Sequence, residues 1–170
     1  TFPRHVGQVP IYYNYKSTGR PTLPGKDVVF WSHYQDVSND ALWVFGHGLS
    51  YTTFEYTDLR VTDNFSSNDT IDITVNLRNS GKLKGKEIVQ LYIRDKFSSI
   101  ARPVKELKGF KLVELEPDSS TPISFVLDKS HLGFYDNEGN WFIENGSFDI
   151  WVGGSSDAGL KTNFELNGVE

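Results

Sequence analysis

Ile71, Ile73, Val75 and Leu77 alternate with Asp72, Thr74, Asn76 and Arg78, and this strict period of two constrains the fold more than any other feature of the chain. Successive side chains of a strand point to opposite faces, so the aliphatic set lines one face of a half-buried strand and the polar set the other. The pattern returns in Val89, Leu91 and Ile93, in Ile123, Phe125 and Leu127, in Phe148, Ile150 and Val152, and in Phe164 with Leu166. A sheet that is apolar on one face must bury it against another layer, and no stretch here is amphipathic over a length sufficient for a helix. About seven short strands at this spacing predict two sheets packed on each other, an all-β, immunoglobulin-like β-sandwich over residues 53–170. Turn residues punctuate the strands. Asn79-Ser80-Gly81 ends the first clear alternation, and Asp136-Asn137-Glu138-Gly139-Asn140 separates Leu132–Tyr135 from Trp141–Ile143 as a hairpin connection would.

Residues 1–52 have a different texture. Pro3, Pro10, Pro21 and Pro24, with Gly7, Gly19 and Gly25, interrupt every pattern before it reaches helical length. Its first 50 residues nevertheless hold nine aromatic residues, Tyr12, Tyr13, Tyr15, Phe30, Trp31, Trp43 and Phe45 among them. That is too many for a solvated linker, because a linker stays unfolded by lacking such rings. It reads as an extended N-terminal segment that wraps onto another domain and onto the sandwich, and that is partly unmoored on its own.

The formal net charge of −5 argues against nucleic acid as a partner, since that affinity rests on clustered Lys and Arg. Arg102, Lys105, Lys108 and Lys111 form a local basic run, but Glu106 and Glu114 interrupt it. Without cysteine there is no disulfide framework, thiolate metal cage or cysteine nucleophile. No apolar run approaches the roughly 20 residues that span a bilayer, so no membrane partner is expected. The chain begins at Thr1 and contains no methionine, which reads as a fragment or a processed product.

Few residues here could carry chemistry. Hydrolysis of a glycosidic bond needs two carboxylates facing each other, roughly 5–5.5 Å apart for retention and 6.5–9.5 Å for inversion. Asp136 and Glu138 are the tempting pair, yet they fall at the hairpin tip, where a raised pKa is hard to maintain. His5, His33, His47 and His131 lack the paired spacing of a zinc site, and His47 between two glycines reads as a loop histidine bonded to backbone. Ser155-Ser156 lacks the strand-to-helix setting of a nucleophile elbow and reads as a turn between the last strands. Nothing specifies a calcium site at Asp157. Trp141 and Trp151 could form a platform on which a sugar stacks, with packing against the core or another domain as the competing role. Asn64-Phe65-Ser66, Asn68-Asp69-Thr70 and Asn145-Gly146-Ser147 match the N-glycosylation pattern.

Two punctuated stretches carry a resemblance. Val44-Phe45-Gly46-His47-Gly48-Leu49-Ser50-Tyr51-Thr52-Thr53-Phe54 is similar to the Pro-Phe-Gly-x-Gly-Leu-Ser-Tyr-Thr-x-Phe motif that leads into the sandwich of family 3 glycoside hydrolases, the β-glucosidases and β-xylosidases. Arg102-Pro103-Val104-Lys105-Glu106-Leu107-Lys108-Gly109-Phe110 resembles a stretch inside that sandwich, as do Val89-Gln90-Leu91-Tyr92, Leu132-Gly133-Phe134-Tyr135-Asp136 and Val152-Gly153-Gly154-Ser155-Ser156. Gly7 to Asn14 and Thr18-Gly19-Arg20-Pro21 resemble the end of the family's α/β domain. The order is right across nearly the whole chain. Trp43-Val44 departs from the family's usual tyrosine and proline there, so the local turn is expected to differ.

The resemblance implies a fibronectin type III-like sandwich at residues 53–170, preceded at residues 1–52 by the tail of the α/β domain. It implies a non-catalytic module of a retaining, exo-acting β-glucosidase-like enzyme of the periplasm or cell exterior, with no cofactor or metal. The family's nucleophilic aspartate and acid/base glutamate lie in domains that have no matching positions here, so no catalytic residue is assigned. The implied partners are the catalytic domains of the same parent chain, with oligo- or polysaccharide as a further one. Gly46 and Gly48 are expected to supply backbone angles or close approach, and Tyr51 and Phe54 to anchor the first strand in the core. Arg102, Glu106 and Tyr51 are expected at the docking contact with the neighbouring domain. The alternatives are a carbohydrate-binding module using Trp141 or Trp151, and an autonomous hydrolase using Asp136 and Glu138.

Overall fold

The computed structural model describes residues 1–17, 32–63 and 70–167. Thr18-Gly19-Arg20-Pro21, Phe30, Trp31 and the acceptor positions Asn64 and Asn68 lie outside the described residues. Three strands, β1 (Phe54–Asp63), β2 (Thr70–Asn79) and β5 (Ser120–Asp128), form one antiparallel sheet in the order β1-β2-β5. Four others, β3 (Gly85–Asp95), β4 (Glu106–Leu115), β8 (Gly146–Gly153) and β9 (Leu160–Leu166), form the second in the order β4-β3-β8-β9. A short hairpin of β6 (Phe134–Tyr135) and β7 (Trp141–Phe142) follows a single helical turn, α1 (Lys129–Leu132).

The alternation read from the sequence is the architecture of the core. Ile71, Ile73, Val75 and Leu77 of β2 and Val89, Leu91 and Ile93 of β3 are buried against Ile123, Phe125, Leu127, Phe148, Ile150, Val152, Phe164 and Leu166. Each such side chain removed from water contributes about 1.5–3 kcal/mol. The strand interiors are therefore settled by burial, and the polar partners of each alternation face outwards on β2 and β5.

β3 departs from that rule. From Val89 to Ile93 it is buried on both faces, Gln90 and Tyr92 included, because the N-terminal segment lies over its outer side. Tyr13 packs edge-on against Tyr92 at 6.0 Å and stacks on Phe45 at 4.2 Å. The segment is held together by a bridge between Phe2 and Trp43, and reaches the β3–β4 connection through a bridge between Lys16 and Pro103.

Other expectations are corrected at the edges. Tyr51 does not anchor β1 in the core: it is 97 % exposed, and only Phe54 turns inward onto the core cluster. Its neighbours hold the linker instead, with Thr52 Oγ1 donating to Asn79 Oδ1 at 2.6 Å and Ser80 N donating to Thr53 O at 2.9 Å. Gly46 has φ +77°, the left-handed region that suits glycine, whereas a side chain on Gly48 would meet nothing within 4 Å. α1 escapes the sequence because one turn has no period to read; its start is a box in which Asp128 and His131 satisfy each other's backbone N–H.

Candidate interdomain joint

The joint is built on Gln90. Its position on β3 turns it to the outer face, where a solvated amide would be ordinary; here the linker closes over it. Gln90 Nε2 donates to Gly46 O at 3.1 Å and to Gly154 O at 2.7 Å, while Tyr92 Oη donates to Gln90 Oε1. One buried side chain thus ties the linker, β3 and the β8–β9 turn together, and each of its polar groups has a partner, as burial requires. A Cβ on Gly46 would stand 2.1 Å from Gln90 Oε1, so the linker can approach only as glycine. Ser156 N donates to Phe45 O at 2.8 Å and Val104 N to Tyr15 O at 2.8 Å, fastening both ends of the segment.

Lys105 lies beside this clamp. Its Nζ donates to Ser156 O at 2.6 Å and stands over Trp151 at 4.6 Å, and burial lowers its pKa. Burial likewise pushes up the Tyr92 hydroxyl. Segment and sandwich enclose an open depression of about 1370 Å³, lined by Tyr12, Tyr13, Trp43, His47, Lys105 and Asp157. The His47 ring lies parallel to Trp43, and its backbone N–H donates to Val44 O at 3.2 Å.

Arg102 and Glu106, expected at a docking contact, are turned inward and pair within the sandwich. The Arg102 side chain is 5 % exposed. It pairs with Asp95 at 3.2 Å and Glu106 at 3.0 Å, donates to Leu132 O at 2.8 Å and stands over the Phe134 ring. A planar guanidinium with five donors suits three acceptors from three elements. It fixes the path of the β3–β4 connection against α1 and β6. Burial raises the Asp95 pKa against the opposing pull of Arg102. Glu106 also holds Lys108 at 2.8 Å, and Lys111 lies over Phe125, so the basic run of the sequence is dispersed over different partners.

The matches to known proteins follow this geometry. The model of the fibronectin type III-like domain fits residues 87–156, which span β3 to the β8–β9 turn. The chain is 38 % identical over 167 residues to the periplasmic β-glucosidase of Salmonella typhimurium, covering 98 % of this chain and 22 % of that protein. It is 40 % identical to thermostable β-glucosidase B of Acetivibrio thermocellus, covering 98 % and 23 % respectively. A crystal structure of a mutant β-glucosidase of Listeria innocua in complex with laminaribiose superposes with a TM-score of 0.87 at 34 % identity, over 98 % of this chain and 23 % of that one. This chain corresponds to the fibronectin type III-like, C-terminal part of β-glucosidase-like proteins of family 3. It spans about a fifth of the length of these relatives.

Within this family 3 module, the two tryptophans named as a sugar platform do not meet in one sheet. Trp151 is in β8 with Lys105 and Lys161 ammonium groups over its ring, whereas Trp141 is in the hairpin, its indole laid where a side chain on Gly133 would stand. Asp136 and Glu138 occupy the hairpin tip. Asp136 accepts from the backbone N–H of Asn140 and of Glu138, and these bonds hold its carboxyl below the usual range, opposite to what a general acid needs. Ser155 and Ser156 form the β8–β9 turn, and no group of three or more His, Asp or Glu suited to a metal, Asp157 included, occurs among the described residues. The group the sequence did not single out is Gln90: it stood inside a recognised motif, but its partners are 44 and 64 residues away.

Proposed function

We propose that this module is the non-catalytic buttress of a β-glucosidase-like enzyme, joined to the catalytic part through the segment that crosses β3. The observation that carries this reading is the double coverage of β3. The segment spends Tyr13, Phe45 and Gly46 on the sandwich while Phe2, Val6, Val9, Tyr12 and Tyr15 stay exposed, an apolar surface awaiting a neighbour. The parent hydrolyses β-linked glucosides by the two-carboxylate retaining route, with both carboxylates supplied outside these 170 residues. The name of the Salmonella relative supports a periplasmic setting. The internal clamp of Arg102 and Glu106 serves docking indirectly, by holding the β3–β4 connection beside Lys16.

Thermal inactivation of the full-length enzyme, compared with forms lacking residues 54–170 or carrying Gly46→Val, tests the reading. The expected result is a lower midpoint in both, with Gly46→Val keeping its activity per folded molecule at low temperature. An unchanged midpoint in both would sink it. Titration of the same enzyme with cello- and laminari-oligosaccharides separates the alternative role: saturable loss of binding on Trp141→Ala, with hydrolysis unchanged, would make the module a carbohydrate-binding one.

A further inference from the structure

The outer face of the β4-β3-β8-β9 sheet is covered at one end and bare at the other. Outward positions on β3 run Lys86, Ile88, Gln90, Tyr92, and their cross-strand partners on β4 are Glu114 for Lys86, Leu112 for Ile88 and Phe110 for Gln90. Gln90 and Tyr92 are buried under the linker and Tyr13. Directly beside them Phe110 is 68 % exposed, Leu112 64 % and Ile88 about half exposed. Three large apolar side chains in adjacent register positions make one continuous patch, rimmed by Glu114 and its partners Lys84 and Lys86. An apolar centre with a charged rim is the composition of a protein interface rather than of a solvated sheet.

We infer that the Ile88–Phe110–Leu112 face is the surface on which the sandwich receives the remainder of its own parent chain. The inference rests on the buttress reading and names its contact surface on the sandwich. The patch is continuous with the joint, because Phe110 is the register partner of Gln90, the residue that clamps the linker. The linker then rounds β3: Gly46 sits on the outer face at Gln90, whereas Ser50 and Thr52 lie against Gly85. Ile88 falls between these two points, and Leu49 and Tyr51 of the linker are themselves almost wholly exposed. The relatives show how much chain there is to seat, since 98 % of this chain matches only 22 % of the Salmonella protein. Pairing of β4 edge to edge with a second copy is opposed by Lys111, a cation on this edge strand of the sheet, and edge cations are a device against such pairing.

The experiment uses the full-length enzyme with Phe110→Ser/Leu112→Ser and, as a matched control, Val126→Ser, which removes an exposed apolar residue from the outer face of the other sheet. Thermal unfolding midpoint and mass by light scattering are read for each. The expected result is a lowered midpoint for the double variant, no change for the control, and unchanged mass. A double variant that melts like the wild type while deletion of residues 54–170 still lowers the midpoint overturns this inference alone; a deletion that also changes nothing takes the buttress reading with it. Equal losses in double variant and control overturn it too, as general destabilisation. A loss accompanied by a halved mass assigns the face to a second copy of the enzyme and overturns it as well.

Discussion

The sandwich and the segment that precedes it use apolar residues in opposite ways. β2, β3, β5, β8 and β9 bury theirs against one another, and Ile71, Leu91 and Ile150 have no exposed surface. Residues 1–17 and 32–53 keep Val6, Leu49 and Tyr51 almost wholly in solvent and commit a handful, Tyr13 and Phe45 above all, to the sandwich. One region completes its own core; the other leaves most of its apolar residues in solvent, where the proposed docking would cover them. The difference separates what should destabilise this chain from what should matter only in the parent enzyme.

The largest effect belongs to the self-sufficient region. Arg102→Ala leaves Asp95 buried without its counter-charge and Leu132 O without its donor, and breaking a buried pair from one side costs about 3–5 kcal/mol. Arg102→Lys should recover only part, because one ammonium cannot span the three acceptors that the guanidinium reaches. Urea unfolding of both variants checks this; an Arg102→Ala midpoint equal to that of the wild type would show the clamp to be idle. Next comes the joint. Gly46→Val requires a branched side chain at φ +77° and against Gln90, where the left-handed conformation alone costs about 1–2 kcal/mol. Gly48→Val, with nothing within 4 Å, should cost well under half of that. Equal losses for the two glycines would erase the distinction between clamped and free parts of the linker.

These contrasts also show what the sequence could disclose. β2 was legible because its four aliphatics alternate from Ile71 to Leu77 with a polar face that stays exposed or half-buried. β3 carries the same signal in Val89, Leu91 and Ile93, but that signal says nothing of Gln90 and Tyr92, since the period of a strand records only the face it presents to its own core. What covers the other face comes from Tyr13, Phe45 and Gly46, far upstream, and no local pattern encodes that meeting. Tyr51 failed in the opposite direction: its residue type suggested burial, while the exposed position is fixed by the hydrogen bonds of Thr52 and Thr53 beside it. Arg102 announced a special position but not its direction, because Asp95, Glu106 and Leu132 are brought together only by three separate elements.

A smaller effect lies where the two sheets meet the β8–β9 turn. Tyr56 Oη donates to Glu87 Oε1 at 2.7 Å, and burial raises the Glu87 pKa above its ordinary 4.5, with the Tyr56 bond pulling it down. A carboxyl whose folded pKa is raised binds protons more tightly in the folded chain, so its stabilising share is complete below the unfolded value and is lost as pH rises through the folded one. Glu87→Gln keeps an acceptor for Tyr56 without the charge. The variant should therefore gain on the wild type in thermal melts as pH is raised from about 4 to 7. A difference that stays flat or shrinks over that range would mean that Glu87 is as well solvated folded as unfolded.

The smallest expected effect on this chain is the sharpest test of the comparison. Tyr51→Ser removes a ring that is 97 % exposed and makes no contact that holds β1, so the stability of the 170-residue chain should change by no more than about 0.5 kcal/mol. In the full-length enzyme the same substitution should cost more, because a ring held out from a linker pinned on both sides, by Gly46 and by Thr52, has already lost much of the freedom that docking would otherwise consume. The two measurements are read against each other. A loss in the enzyme with none in the chain places Tyr51 on the borrowed side of the contact. A loss in both would mean that the linker closes on the sandwich through Tyr51 after all, and equal indifference would leave the exposed apolar set of the segment without a role in docking.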